Sequence, residues 1–105
     1  TDTTFLYVIA AHLKASNSSS DRQQRLNAAT DVMDWIRDNA AGENVIFAGD
    51  FNIKTPTEDA YIELVNDRPA DVTLVDPLDL STSWSAGVYA QYMTQSHVLV
   101  RPTVV

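Results

Sequence analysis

The chain contains no cysteine, which removes disulfides, thiolate chemistry and any zinc site built on thiolates. Only 3 Gly and 4 Pro occur in 105 residues, so linker-like and fibrous compositions are excluded, and no internal repeat or extended low-complexity segment is visible. Basic residues are also scarce. Against 14 acidic side chains stand 7 basic ones, and the formal net charge of -7 argues against a broad electrostatic footprint for nucleic acid. The longest apolar run is far below the roughly 20 residues that span a bilayer, and the N-terminus lacks a basic stretch followed by a signal-like apolar core. What remains is ordinary globular composition, 45% hydrophobic, with room for one core and one domain at most.

Hydrophobic periodicity predicts a βαβ beginning. Residues Thr4 to Ala11, rich in aromatic and β-branched side chains, read as a buried strand. Asn17 to Ser20 form a polar connector. Ser20 followed by Gln23 has capping-box spacing and opens a helix that runs to about Asn39, with Leu26, Ala29, Met33 and Ile36 on its apolar face. Asp31, Asp34 and Asp38 fall on a different, solvated face, and Arg22 and Arg25 read as exposed residues near the helix start. Gly42 is placed to end the helix in a left-handed conformation. A second strand covers Val45 to Asn52. Thr55, Pro56 and Glu58 then have the order of N-cap, first helical residue and capping-box partner, which predicts a short helix through about Asn66 with Ala60, Tyr61, Leu64 and Val65 inward. Arg68 to Ser81 reads as loop with one brief strand or turn, in which Asp71, Asp76 and Asp79 are turn residues. Tyr89 to Thr94 reads as a strand, Trp84 as a buried aromatic, and His97 as a structural strand residue.

The most informative stretch is Gly49-Asp50-Phe51-Asn52, which follows the strand-like run Val45 to Ala48. Open α/β sheets bind ligands where strands end. A hard cation such as Mg²⁺ takes oxygen ligands, commonly one or two carboxylates with water and phosphate oxygens, and Asp50 offers one. If the backbone stays extended, period-two alternation puts Asn52 on the same side as Asp50, where its amide can donate to a phosphate oxygen or orient a water. Gly49 allows close approach of a backbone or ligand. The competing reading is a plain strand-to-loop turn in which Asp50 and Asn52 cap local backbone groups. His12 shifts the balance, because it too follows an apolar run, Phe5 to Ala11, and sits where a strand stops.

These two segments, in this order and with a helix between them, resemble the endonuclease/exonuclease/phosphatase superfamily of Mg²⁺-dependent phosphodiesterases and phosphomonoesterases. The resemblance runs from about Phe5 to Gln95. It implies an α/β fold, part of a two-sheet sandwich with helices outside. It also implies a phosphoester hydrolase using Mg²⁺ (or Mn²⁺) on a nucleic acid or a small phosphorylated molecule. His12 would take the place of the histidine that contacts the scissile phosphate or protonates the leaving group. Asp50 and Asn52 would take the places of the residues that position the attacking water and bind phosphate or metal. A histidine that titrates near neutral pH suits the first role, and a metal-bound carboxylate with an amide donor suits the second. An acidic surface is compatible with such chemistry, since the cation supplies local positive charge. The wording His12-Leu13-Lys14-Ala15, the serine-rich loop and Asp21 to Arg25 look most like bacterial, often secreted, members.

Residues 1–105 are accordingly expected to be a single partial domain, incomplete at both ends. The superfamily pattern also calls for an Asn and a metal-binding Glu before His12, and for a further Asp and a Ser-Asp-His motif beyond Gln95, none of which this sequence supplies. Ser96-His97 lacks the intervening aspartate. The alternative expectation is a non-catalytic truncated domain or a module that binds phosphate or a partner without turnover.

Overall fold

Strand β1 (Leu6–His12) is the first element in a computed structural model that describes residues 5–76 and the backbone of 96–101. Its side chains alternate. Tyr7, Ile9 and Ala11 pack against the core, while Leu6, Val8, Ala10 and His12 face outward. The expected buried strand is thus half-buried on one face and exposed on the other, with Val8 still 64% exposed, because the helices cover a single side of the sheet.

Helix α1 (Ser19–Asn39) starts two residues earlier than the Ser20–Gln23 spacing predicts. Ser18 is the N-cap and Asp21 the reciprocal partner: the Ser18 hydroxyl accepts from the Asp21 N–H at 3.1 Å, and the Asp21 carboxylate accepts from the Ser18 N–H at 3.0 Å. A carboxylate beats a carboxamide at this position because its charge strengthens both the hydrogen bond and the interaction with the helix N-terminus. Lys14 reinforces it at 3.2 Å. The buried stripe is Arg25, Ala29, Met33 and Ile36, whereas Leu26 is half-buried. Gly42 follows the helix at φ 76, as expected of a left-handed terminator, and its N–H donates to Asp71 O at 3.0 Å.

The chain then returns as β2 (Asn44–Asp50), parallel to β1, and α2 (Asp59–Val65) follows, with Ala60, Tyr61 and Leu64 buried. The expected Thr55–Glu58 capping box does not form. Glu58 is itself the N-cap residue without a side-chain cap bond, because its carboxylate is committed to Arg25. Strand β3 (Ser96–Arg101) pairs antiparallel with β2, so the sheet order is β1-β2-β3. His97 lies in β3 opposite Gly49, as a strand residue. The expectations for Asp79, Trp84 and Tyr89 to Thr94 fall outside the described residues.

The core lies between the sheet and the two helices. Val45 and Phe47 of β2, Phe51 and Ile53 beyond it, Met33 and Ile36 of α1, Leu64 of α2 and Leu74 are all essentially inaccessible. Phe47 and Phe51 stack with centroids 4.5 Å apart. Each such side chain contributes roughly 1.5–3 kcal/mol by leaving water. The packing therefore fixes the strand ends as firmly as the strands themselves, since Phe51 and Ile53 belong to the loop after β2. The architecture is an α/β unit of the kind expected for part of a larger α/β domain.

Candidate active site at the ends of β1 and β2

Parallel pairing brings the carboxyl ends of β1 and β2 to one level, and His12 is registered with Asp50 as the last pair of the ladder. Their side chains stand together in solvent. His12 Nε2 lies 3.8 Å from Asp50 Oδ2, with the imidazole 74% and the carboxylate 44% exposed. The backbone locks the same level, because the Leu13 N–H donates to Asp50 O at 3.0 Å.

Asn52 also reaches this edge, but not by strand alternation. The strand ends at Asp50, and Asn52 adopts φ 53, a left-handed conformation that asparagine tolerates better than most residues. Its Nδ2 donates to Leu13 O at 3.0 Å and its own N–H donates to Asp50 Oδ1 at 3.1 Å. The local-capping expectation is realised, and Asn52 lies at the same edge as Asp50. One Asp50 oxygen orders the turn, and the other faces His12.

Gly49 makes this possible. At φ 150, its missing Cβ would lie 1.8 Å from Ala11 O, inside the neighbouring strand. Only glycine lets the backbones approach closely enough to set His12 against Asp50.

Among the described residues no group of three or more His, Cys, Asp or Glu gathers around one point. Asp50 presents one exposed carboxylate oxygen, and Asn52, with its Nδ2 committed to Leu13, presents Oδ1 as an acceptor. These are hard oxygen donors of the type Mg²⁺ takes, and they supply part of a coordination shell that water and phosphate oxygens commonly complete.

Arg25 is where the expected exposed arginine is overturned. It is fully buried, and its guanidinium spends all five N–H donors. Nε and Nη2 fork onto the Glu58 carboxylate at 2.7 and 2.9 Å. Nη1 donates to Lys14 O at 2.7 Å and Ser16 O at 2.6 Å, and Nη2 also donates to Asn17 Oδ1 at 3.1 Å. The signal was present in the sequence: the stripe Ile36, Met33, Ala29 steps back by helical spacing onto position 25. Arg22 stays at the surface and donates to Asn17 O. With Lys54, Thr55 and Thr57 it lines a cavity of about 440 Å³ beside the two loops. Asp34 and Asp38 are held by Arg37 and, for Asp34, by Arg68 at 2.8 Å, a solvated charge network as expected. Asp76 is more than a turn residue, since it is buried and accepts from the Tyr61 hydroxyl at 3.0 Å.

Neither a family model nor a curated protein matches the chain. Among solved structures, humanized D. rerio TDP2 carrying 14 mutations matches 93% of this chain at a TM-score of 0.55 and 23% identity. The fold is similar to that of TDP2. The chain spans 36% of the TDP2 chain, so the likeness covers a part of that protein's architecture.

Proposed function

We propose that this chain carries part of the active site of a metal-dependent phosphoester hydrolase, with His12, Asp50 and Asn52 as its site residues. The observation that carries the reading is the His12–Asp50 pair on the last rung of the parallel ladder, with Asn52 tied to the same level through Leu13. The Gly49-to-Asn52 wording and the TDP2-like fold support it. A nucleic-acid-linked phosphoester is accordingly the first substrate class to test, ahead of small phosphorylated molecules.

In this mechanism water attacks phosphorus in line with the leaving oxygen, and the bond between phosphorus and that oxygen breaks. Asp50 accepts a hydrogen bond from the attacking water and aligns it, and the proton that the water sheds as the new bond to phosphorus forms passes to solvent. The second N–H of Asn52 Nδ2, the one not bonded to Leu13 O, donates to a non-bridging phosphoryl oxygen. His12, exposed at the strand end, contacts the phosphate and delivers a proton to the departing oxygen. Asp50 and Asn52 would hold Mg²⁺ or Mn²⁺, which when bound neutralises charge on the phosphoryl oxygens.

A second reading, phosphate or partner binding without turnover, is favoured by one observation: the Asp50–Asn52 N–H bond is sufficient by itself to shape a turn. Hydrolysis of bis(p-nitrophenyl) phosphate with Mg²⁺ separates the two. His12→Ala and Asp50→Ala in the full-length protein are expected to lower kcat by orders of magnitude with folding intact. Unchanged hydrolysis in both variants overturns the assignment.

A further inference from the structure

We infer that Arg25 is a positioning residue for the proposed site, holding the loop after β1 and the loop after β2 at one fixed separation; the inference rests on the reading of His12, Asp50 and Asn52 given above. The loop from Lys14 to Ser18 is exposed along its whole length, and Ser16 sits at φ 73, a conformation unfavourable for serine. No apolar side chain within it anchors it to the core. Its carbonyls at Lys14 and Ser16 and the amide of Asn17 are instead gripped from below by one guanidinium. The same guanidinium grips Glu58, at the far end of the loop that begins with Phe51 and Asn52.

Two cross-links therefore join the site's loops. Asn52 bonds Leu13 O near the strand ends, and Arg25 bonds both Lys14 O and Glu58 behind it. Leu13 and Lys14 are adjacent, so a shift of the Lys14 carbonyl is passed on to the peptide that carries the Asn52 contact and to His12 just before it. Arginine alone suits this place. Its planar fork matches the carboxylate while its remaining donors reach the backbone, whereas lysine offers three donors from one nitrogen and no fork. Arg25 touches no reacting atom. Its role is to keep His12 and Asn52 within the narrow tolerance that catalysis requires, where a 1 Å misplacement is worth about 100-fold in rate.

The test compares Arg25→Lys, Glu58→Gln and Met33→Ala in the full-length protein, with His12→Ala as the site control. Met33 lies on the same buried stripe of α1, further along the helix, and belongs to the hydrophobic core. Turnover of bis(p-nitrophenyl) phosphate is expected to fall at least tenfold in kcat for Arg25→Lys, with KM changed less than about threefold. Met33→Ala, of equal or greater loss in Tm, keeps its kcat. In nuclear magnetic resonance spectra the Asn52 side-chain NH₂ and Leu13 N–H signals shift in the Arg25 and Glu58 variants but not in Met33→Ala. A kcat for Arg25→Lys within twofold of wild type overturns the inference, as does a kcat loss in Met33→Ala matching that of Arg25→Lys at equal loss of Tm. If Arg25→Lys does not fold, Glu58→Gln decides, because it keeps the side-chain shape while turning an amide N–H₂ toward the guanidinium. Unmoved Asn52 and Leu13 signals in Glu58→Gln overturn the inference. If His12→Ala hydrolyses normally, the reading of the site fails by itself, and the Asn52 and Leu13 signals still decide whether Arg25 couples the loops.

Discussion

The Cα of Gly49 lies so close beneath the Ala11 carbonyl that a Cβ there would fall 1.8 Å from its oxygen. Gly49→Ala must either spread β1 from β2 or twist out of φ 150. Strain at such a backbone position and overpacking each cost about 1–3 kcal/mol, so a loss of roughly 3 kcal/mol or more is expected in urea unfolding. A loss under 1 kcal/mol would mean that the strands are not locked at this level.

Asn52 serves through both its backbone conformation and its side chain, and two substitutions separate them. Asn52→Gly keeps φ 53 accessible but removes the amide bond to Leu13 O, at a cost of about 1–3 kcal/mol for a buried acceptor left without it. Asn52→Ala removes the same bond and adds left-handed strain, so it is expected to be less stable than Asn52→Gly by about 1 kcal/mol. Equal stabilities in thermal and urea melts would show that the turn relaxes out of the left-handed region.

Arg25→Met leaves the buried Glu58 carboxylate without its guanidinium, and breaking a buried pair in this way typically costs about 3–5 kcal/mol. Arg25→Met with Glu58→Leu removes both charges and is expected to recover part of that loss, the Lys14, Ser16 and Asn17 acceptors still lacking their donor. Denaturant unfolding of both singles and the double completes the cycle, and strict additivity would contradict a coupled pair.

The Asp21 carboxyl is pulled down to about 2, chiefly by the Ser18 hydroxyl, then by the Ser18 N–H and Lys14. Because its folded value lies below the ordinary 3.8, protons bind preferentially to the unfolded chain. The stabilisation is therefore complete above pH about 4 and is lost as pH falls toward 2. Ser18→Ala is expected to raise the Asp21 midpoint toward its ordinary value, read from the carboxyl carbon chemical shift against pH. An unmoved midpoint would remove the hydroxyl as the main cause.

Elements with one strong local signal were legible in the sequence. The strand–helix–strand order, the apolar stripe of α1, the left-handed Gly42 and the placing of His12 and Asp50 at strand ends all follow from periodicity and position. What misled was competition among several good partners for one group. Glu58 has capping-box spacing from Thr55, yet a buried guanidinium outbids a backbone N–H for its charge. Position alone puts Arg25 at the surface, because arginine is almost never buried unpaired and its partner lies in another element that no local rule connects to it. Asn52 reached the expected edge through a left-handed turn rather than an extended one, since Phe51 had to fold inward onto Phe47.

The parallel register between β1 and β2 also dictates when the site comes into being. His12 and Asp50 are joined only across the whole of α1, so the chain must close that long excursion before the first rung of the ladder can reward it. In pulse-labelled hydrogen exchange, amides within α1 should gain protection ahead of the Leu13 amide. The pairing of the two strand tips is thus expected to follow the winding of α1.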